Sequence, residues 1–219
     1  MIRLKHILLE QEKPGFFQFK KRQQLKDKKN KELIQRYKSR DKNYPNKWNT
    51  DVTPPHPVGS WIAYHDQNRE YPDKVSYKGQ FNDNGKQQGY WEYFHRNGEP
   101  RMTGSWDAGK KVRTWTYFSK KGIAIREENY KNGLLDGDYT ESYDSGEKKT
   151  TGTYKNGKKE DEWSGFDVGG IKIKSFIYKN DVLNGKYKEF DPDKNIMIKA
   201  NYKNGKLDGI WKKLDVTNK

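Results

Sequence analysis

The sequence predicts an all-β protein whose strands form an elongated, twisted antiparallel sheet of tandem β-hairpins. Three observations predict this fold class. Aromatic residues and glycines recur every 24 residues, short aromatic-rich runs alternate with turn signals, and 14% of all residues are aromatic. The net charge of +15 and the hydrophobic content of only 31% are typical of disordered chains. Because disordered chains lack aromatic residues at this density, we expect a folded protein with a core of aromatic rings.

The repeat consists of columns of equivalent residues that keep one register along the chain. A first aromatic column holds Phe81, Trp106, Tyr130, Tyr154, Tyr178 and Tyr202. A turn column holds Gly85, Gly109, Gly133, Gly157, Asp181 and Gly205, and a third column holds Gly89, Arg113, Gly137, Asp161, Gly185 and Gly209. The second aromatic column is Trp91, Trp115, Tyr139, Trp163, Tyr187 and Trp211. Self-similarity at a fixed period predicts a repeat architecture, in which these columns are structural.

Each period is predicted to form two strands joined by tight turns. The Asn-Gly pairs favour two-residue hairpins because both residues tolerate positive φ, and we expect this conformation at Gly133. In IKANYKNG, apolar and polar side chains alternate, which predicts a sheet with one apolar face. Two positions before the first aromatic column, small residues would let a ring from a neighbouring strand lie across the backbone. These small residues are Gly79, Gly104, Gly152 and Ala200.

The recurring motif is aromatic-x-N-G-K-x-x-G-x-W/Y-x-x-aromatic, where x is any residue. It is clearest in NYKNGKLDGIWKKL and GTYKNGKKEDEWSGF, and it resembles the MORN repeat, in particular the bacterial variant in proteins often labelled antitoxin components. The resemblance covers residues 59–214 in about six and a half units. It implies a run of β-hairpins in a twisted sheet that is a scaffold for binding or dimerisation, with links to lipids. Departures from the pattern at Arg113, Asp161, Asp181 and Lys194 predict that some turns differ from the family's usual ones, and we expect these places to carry this protein's own specificity.

An N-terminal segment of different composition precedes the repeats. Residues 1–58 contain 15 Lys and Arg against 6 Asp and Glu, a net +9, and the remainder contains 30 against 24, a net +6. Apolar residues at helical spacing, Leu4, Ile7 and Leu8, predict that this segment is partly helical. We assign residues 1–47 to a basic arm, 48–58 to a Pro-rich linker, 59–214 to the repeat array and 215–219 to a C-terminal tail.

No sequence feature indicates an enzyme. The repeats occupy most of the length, and we find no phosphate-binding loop, nucleophile elbow or metal triad. The chain has no cysteine, and its 4 histidines lack metal-ligand spacing. We therefore predict a non-enzymatic protein without cofactor or metal. Neither a signal peptide nor a transmembrane segment is expected, because no apolar run is long enough, and the predicted location is the cytoplasm or a larger assembly.

Two functions from different classes remain open. The first is a protein-binding scaffold, either antitoxin-like or a structural component of an assembly such as a virion, with self-association left open. In this hypothesis the column of Tyr and Trp residues is core rather than a ligand-binding strip. The second is peripheral binding to an anionic membrane or to nucleic acid through the arm. The candidate residues of the arm are Lys20, Lys21, Arg22, Lys26, Lys28, Lys29 and Lys31.

Overall fold

The structure, a computed structural model, describes Lys28, Lys31 and residues 47–49, 56–65 and 74–216. In this part of the chain the strands form one antiparallel sheet, so the predicted all-β fold is confirmed. The strands are β1 (Lys47–Asn49), β2 (His56–Tyr64), β3 (Val75–Phe81), β4 (Gln87–Phe94), β5 (Pro100–Asp107), β6 (Lys110–Phe118), β7 (Ala124–Lys131), β8 (Leu134–Ser142), β9 (Lys148–Lys155), β10 (Lys158–Phe166), β11 (Lys172–Lys179), β12 (Val182–Asp191), β13 (Ile196–Lys203), β14 (Lys206–Leu207) and β15 (Lys212–Asp215).

Consecutive strands are neighbours throughout the sheet. The order runs from β1 to β14 without a crossover, and β15 also pairs with β13. The last full strand therefore has two short partners on its outer side, with Tyr202 opposite Leu207 and Met197 opposite Leu214. Because each strand contacts mainly the strands before and after it, a repeat buries its side chains against neighbouring repeats, as in other quasi-one-dimensional arrays.

The Asn-Gly turns have the backbone conformation that the sequence predicts. Asn132 has a φ of +53° and Gly133 a φ of +87°. Two consecutive residues with positive φ are the mark of type I′ turns, which match the right-handed twist of the flanking strands. The prediction of a left-handed residue at Gly133 is confirmed. The same combination recurs at Asn156-Gly157 and Asn204-Gly205.

The positions that depart from the repeat motif keep its backbone conformation. Arg113 (φ +60°), Asp161 (φ +56°) and Asp181 (φ +68°) are all left-handed, as the glycines of their columns are. The left-handed backbone is therefore kept at these three departures, where the neighbouring ladders hold it in the repeat conformation whatever the side chain. Lys194 differs, since the left-handed residue there is the next one, Asn195 (φ +52°).

A register shift in the second strand of each repeat directs an aromatic ring onto the preceding strand. Between β5 and β6 the pairing shifts so that Gly104 alone faces residues 113–115. Bulges of this kind bend a strand and change the direction of its side chains. Trp115, at the end of the bulged segment, is brought over the backbone of Gly104 in this way.

The core is made of tryptophan rings that lie on glycines. Trp115 is 0% exposed. A Cβ atom added to Gly104 would lie under 3.0 Å from atoms of its ring, closer than real Cβ atoms come. The indole N–H donates to the Ser105 carbonyl at 3.1 Å, and Trp106 contacts the ring edge to face at 5.1 Å between centroids. The same contacts recur in the glycine-tryptophan pairs Gly79-Trp91 and Gly152-Trp163.

The described sheet extends beyond the predicted limits of the repeat array. β1 pairs with the start of β2, where Trp48 lies opposite Pro57, so strand structure begins at Lys47, the last residue of the predicted arm, and includes residues predicted as a linker. At the other end, β15 includes Asp215, which the sequence assigns to the tail. Within the described residues, no helix combines the length and the apolar character needed to cross a membrane.

Candidate functional site

The repeat-defining residues take up turn positions and core positions. The turn glycines Gly85, Gly109, Gly133, Gly157 and Gly205 all have positive φ. In the second aromatic column the buried members are Trp91, Trp115 and Trp163, and the half-buried members are Tyr139 and Tyr187. Trp211, in the last repeat, is 52% exposed. The column therefore changes from core to surface at the C-terminal end of the sheet.

Two of the candidate basic residues of the arm lie among the described residues. Lys28 and Lys31 are helical and exposed. The other five candidates lie outside the described residues, and so does the remainder of the arm before Lys47. These five are Lys20, Lys21, Arg22, Lys26 and Lys29.

A charged cluster interrupts the tryptophan core in the middle of the array. Glu128 stands where other repeats have Gly104 and Gly152, and it is only 8% exposed. Its carboxylate accepts a hydrogen bond from the Tyr130 hydroxyl at 2.8 Å and lies 3.2 Å from Arg126 Nε. Such a pair is weak evidence for stability, since desolvation of both charges offsets their attraction. A role in binding is therefore worth testing at this cluster.

Lys111 connects this cluster to the aromatic core. Its Nζ lies 4.4 Å from the Trp115 ring centroid and donates to the Tyr117 hydroxyl at 2.8 Å. Burial lowers the pKa of Lys111, and the nearby Glu128 carboxylate opposes this change. Burial, together with the Glu128 carboxylate, raises the pKa of Tyr117 to about 12. The same two causes raise the pKa of Tyr130.

A cavity of about 620 Å³ opens beside the cluster, between β5 and β9. Tyr117, Arg126 and Glu141 are direct cross-strand neighbours on β6, β7 and β8 and lie side by side along it. The Arg126 guanidinium lies over the Tyr117 ring, with Cζ 4.2 Å from the centroid. The remaining lining residues are Arg101, Phe118, Ile125, Ser142, Tyr143, Asp144 and Lys149. Its volume is in the range of about 300–1,000 Å³ that small-molecule sites occupy.

The side chains of this cavity are suited to binding rather than to metal chemistry. They offer guanidinium and ammonium donors, two carboxylates and aromatic walls. Among the residues that the structure describes, no group of three or more His, Asp or Glu side chains could hold a metal ion.

Reasoning from the sequence missed the cluster and the cavity. Its candidate residues were the repeated columns and the basic arm, none of which includes Arg126 or Glu128. The sequence did contain a signal for the cluster. Gly104, Glu128 and Gly152 are successive members of the small-residue column, and Glu128 is the charged residue among them. A carboxylate on the predicted apolar face of a sheet indicates either a paired charge or a site.

Alkaline pH is expected to destabilise the protein through Tyr117. Its folded-state pKa of about 12 exceeds the usual 10.0, so the fold favours the neutral phenol. This contribution to stability is complete below the usual pKa and is lost as pH rises toward the folded-state pKa. In urea denaturation, the free energy of unfolding should fall between these two pKa values. The fall should be smaller in Tyr117→Phe but unchanged in Tyr90→Phe, which alters an exposed ring. Equal pH dependence in wild type and Tyr117→Phe would contradict this role.

Comparisons with known proteins assign no family to the chain. No protein-family model matches the sequence, and no curated protein matches it at a significant level.

Proposed function

We propose that the protein is a non-enzymatic scaffold that binds another protein on its repeat sheet. Neutralisation of a toxin-like protein and a structural place in a larger assembly, such as a virion, are both roles for such a scaffold. The observation that carries the proposal is the exposed aromatic residue at the end of the array. Trp211 is 52% exposed, whereas Trp115, at the same repeat position, is 0% exposed.

The contrast between these two tryptophans has a structural cause. Trp115 lies inside β6, which pairs with a strand on each side, and its ring packs against Tyr93 and Trp106. Trp211 lies in the break between β14 and β15, and no later strand of the described chain pairs beyond them. Its neighbours Leu207 and Ile210 are also exposed, at 46% and 86%. An exposed apolar patch that contains a tryptophan is a common feature of protein interfaces.

The charges around this patch favour a particular kind of partner. Lys206, Lys212 and Lys213 are exposed on the two strands that flank it. Because complementary charges select partners, the patch suits a protein segment that combines apolar and acidic side chains. Such a segment could bind in an extended conformation along the outer edge of β15, which pairs only with β13 among the described strands.

Trp211→Ala is expected to reduce recovery of the partner from the native source by about tenfold or more, as for an aromatic residue at the centre of an interface. Full-length protein and the variant would be compared in affinity recovery, with the co-purifying protein quantified. Tyr90→Ala is the matched control, since Tyr90 is an aromatic residue that is 58% exposed in another part of the sheet. Equal recovery with wild type and Trp211→Ala would count against binding at this end.

A second function, peripheral binding to an anionic membrane or nucleic acid, is favoured by the exposed helical positions Lys28 and Lys31. Electrostatic binding of this kind weakens steeply between low and physiological salt, whereas a packed protein interface does not. If the arm is the binding element, deletion of residues 1–47 should abolish salt-sensitive binding to anionic vesicles or DNA. Binding that survives this deletion would exclude the arm as the element responsible.

A further inference from the structure

We propose that the cavity beside Arg126 is a binding site for a carboxylate attached to an aromatic or other apolar group. The site is separate from the Trp211 patch and would bind a small acid without any protein partner. Its distinguishing feature is an Arg-Glu neighbour pair, Arg126 and Glu141, that does not form an ion pair across the strands.

A second pair of oppositely charged neighbours in the same row of the sheet does form an ion pair. Lys174 and Glu189 are also direct cross-strand neighbours, and they form an ion pair at 2.8 Å. At the proposed site, Glu141 instead accepts from Lys149 Nζ at 2.9 Å. Arg126 and Glu141 both line the cavity rather than closing it.

Arg126 is placed to receive a carboxylate. Its guanidinium lies over the Tyr117 ring, and its side chain remains 41% exposed although the side chain of its charge partner Glu128 is 10% exposed. Arg126 Nε is buried and makes no hydrogen bond, despite its 3.2 Å distance from Glu128. A guanidinium that lies over an aromatic ring and belongs to a partly exposed side chain is suited to planar, bidentate recognition of a carboxylate.

The other lining residues define the rest of the ligand. Arg101 supplies a second cation, with its Cζ 6.0 Å from the Tyr93 ring, and no described carboxylate pairs with it. Phe118 and Tyr143 offer apolar surface for the body of the ligand. Asp144 on the same lining disfavours densely charged anions such as phosphate. A single carboxylate on an aromatic body fits this combination better than a phosphate does.

The test uses phenylacetate as the probe and phenylacetamide as its uncharged match. Titration of the full-length protein would be followed by NMR at the arginine Nε–Hε groups. Phenylacetate should shift the Arg126 signal saturably, with a Kd of roughly 1 mM for a ligand of this size. Phenylacetamide and inorganic phosphate should produce no saturable shift. Absence of a saturable shift with phenylacetate at wild-type Arg126 would overturn the proposal.

Variants separate this site from general attraction of anions to a basic protein. Arg126→Gln and Arg101→Gln should each weaken phenylacetate binding about tenfold, as expected for loss of a charge-assisted contact. Arg96→Gln, which removes an exposed arginine outside the cavity, should leave binding unchanged. Equal weakening by all three changes would contradict a defined site. Arg101→Gln leaves the Glu128 ion pair intact, so it tests the site even if Arg126→Gln perturbs folding.

The carboxylate could come from a free acid or from an acidic side chain of a protein, and an additional titration distinguishes the two sources. Acetyl-Phe-Glu-amide should bind about tenfold more tightly than phenylacetate if the natural ligand is a protein segment, and no more tightly if it is a small acid. Trp211→Ala should leave both affinities unchanged. Failure of the probes would therefore overturn the cavity proposal alone, and failure of partner recovery would overturn the scaffold proposal alone.

Discussion

Trp115→Ala is expected to lower the free energy of unfolding by about 3–5 kcal/mol, the usual cost of removing a fully buried large aromatic side chain. The ring is 0% exposed and contacts Trp106 edge to face at 5.1 Å. Lys111 Nζ lies 4.4 Å from its centroid. Among the described residues no second layer packs on the sheet, so no other described element can collapse into the space that the ring leaves.

The matched control for this change lies in the same column of the repeat. Trp211→Ala removes the same side chain where it is 52% exposed, and it should cost far less stability. Both variants would be compared with wild type by guanidinium denaturation, using circular dichroism in the far ultraviolet. If Trp115→Ala does not fold, Trp115→Phe gives a milder version of the same test. If both variants lost the same free energy of unfolding, the burial of a tryptophan in this column would not determine its contribution to stability.

Gly104→Ala is expected to cost about 1–3 kcal/mol or more, because the added Cβ overpacks a filled site. The new atom would lie under 3.0 Å from the Trp115 ring, whose N–H is also fixed by a bond to the Ser105 carbonyl. Neither the ring nor the paired backbone can move without breaking these contacts. A single methyl group should therefore be among the most destabilising changes in the protein.

Gly169→Ala controls for the general effect of placing alanine at a glycine. A Cβ there would lie 3.4 Å from Asp167 Oδ1, an ordinary contact with a partly exposed side chain, and Gly169 does not require positive φ. Guanidinium denaturation should show little change for this variant and a clear loss for Gly104→Ala. Comparable midpoints and slopes for the two variants would mean that the ring does not lie on Gly104.

The fold was predictable from the sequence because local and repeated signals agree. Asn-Gly pairs specify a turn by themselves, and the spacing of Asn132-Gly133 and its equivalents fixes how the strands follow one another. That an aromatic ring of a neighbouring strand would lie across a small residue was also predicted, since small residues recur at one place in the period. What could not be read was that Arg113 and Asp161 would keep the glycine conformation. Their left-handed backbone conformation depends on the hydrogen bonds to the neighbouring strands, which override the preference of non-glycine residues for negative φ.

The candidate sites were less predictable because they depend on exceptions to the repeat. Arg126 and Glu141 belong to a row of the sheet that also contains the ion pair of Lys174 and Glu189. Nothing in the local sequence shows that one of these neighbour pairs forms an ion pair and the other does not. The exposure of Trp211 depends on the absence of a further paired strand among the described residues. Both features are consequences of cross-strand geometry, which a single sequence does not contain.

The central structural claim is that tryptophan rings lie directly on glycines of the preceding strand. The most direct test is the proton NMR spectrum of those glycines, since a proton held against the face of an indole ring is shifted strongly upfield. We expect large upfield shifts for the Hα protons of Gly79, Gly104 and Gly152 and none for Gly169. The shift at Gly104 should disappear in Trp115→Ala. Ordinary strand shifts at these three glycines in the folded wild-type protein would contradict the arrangement.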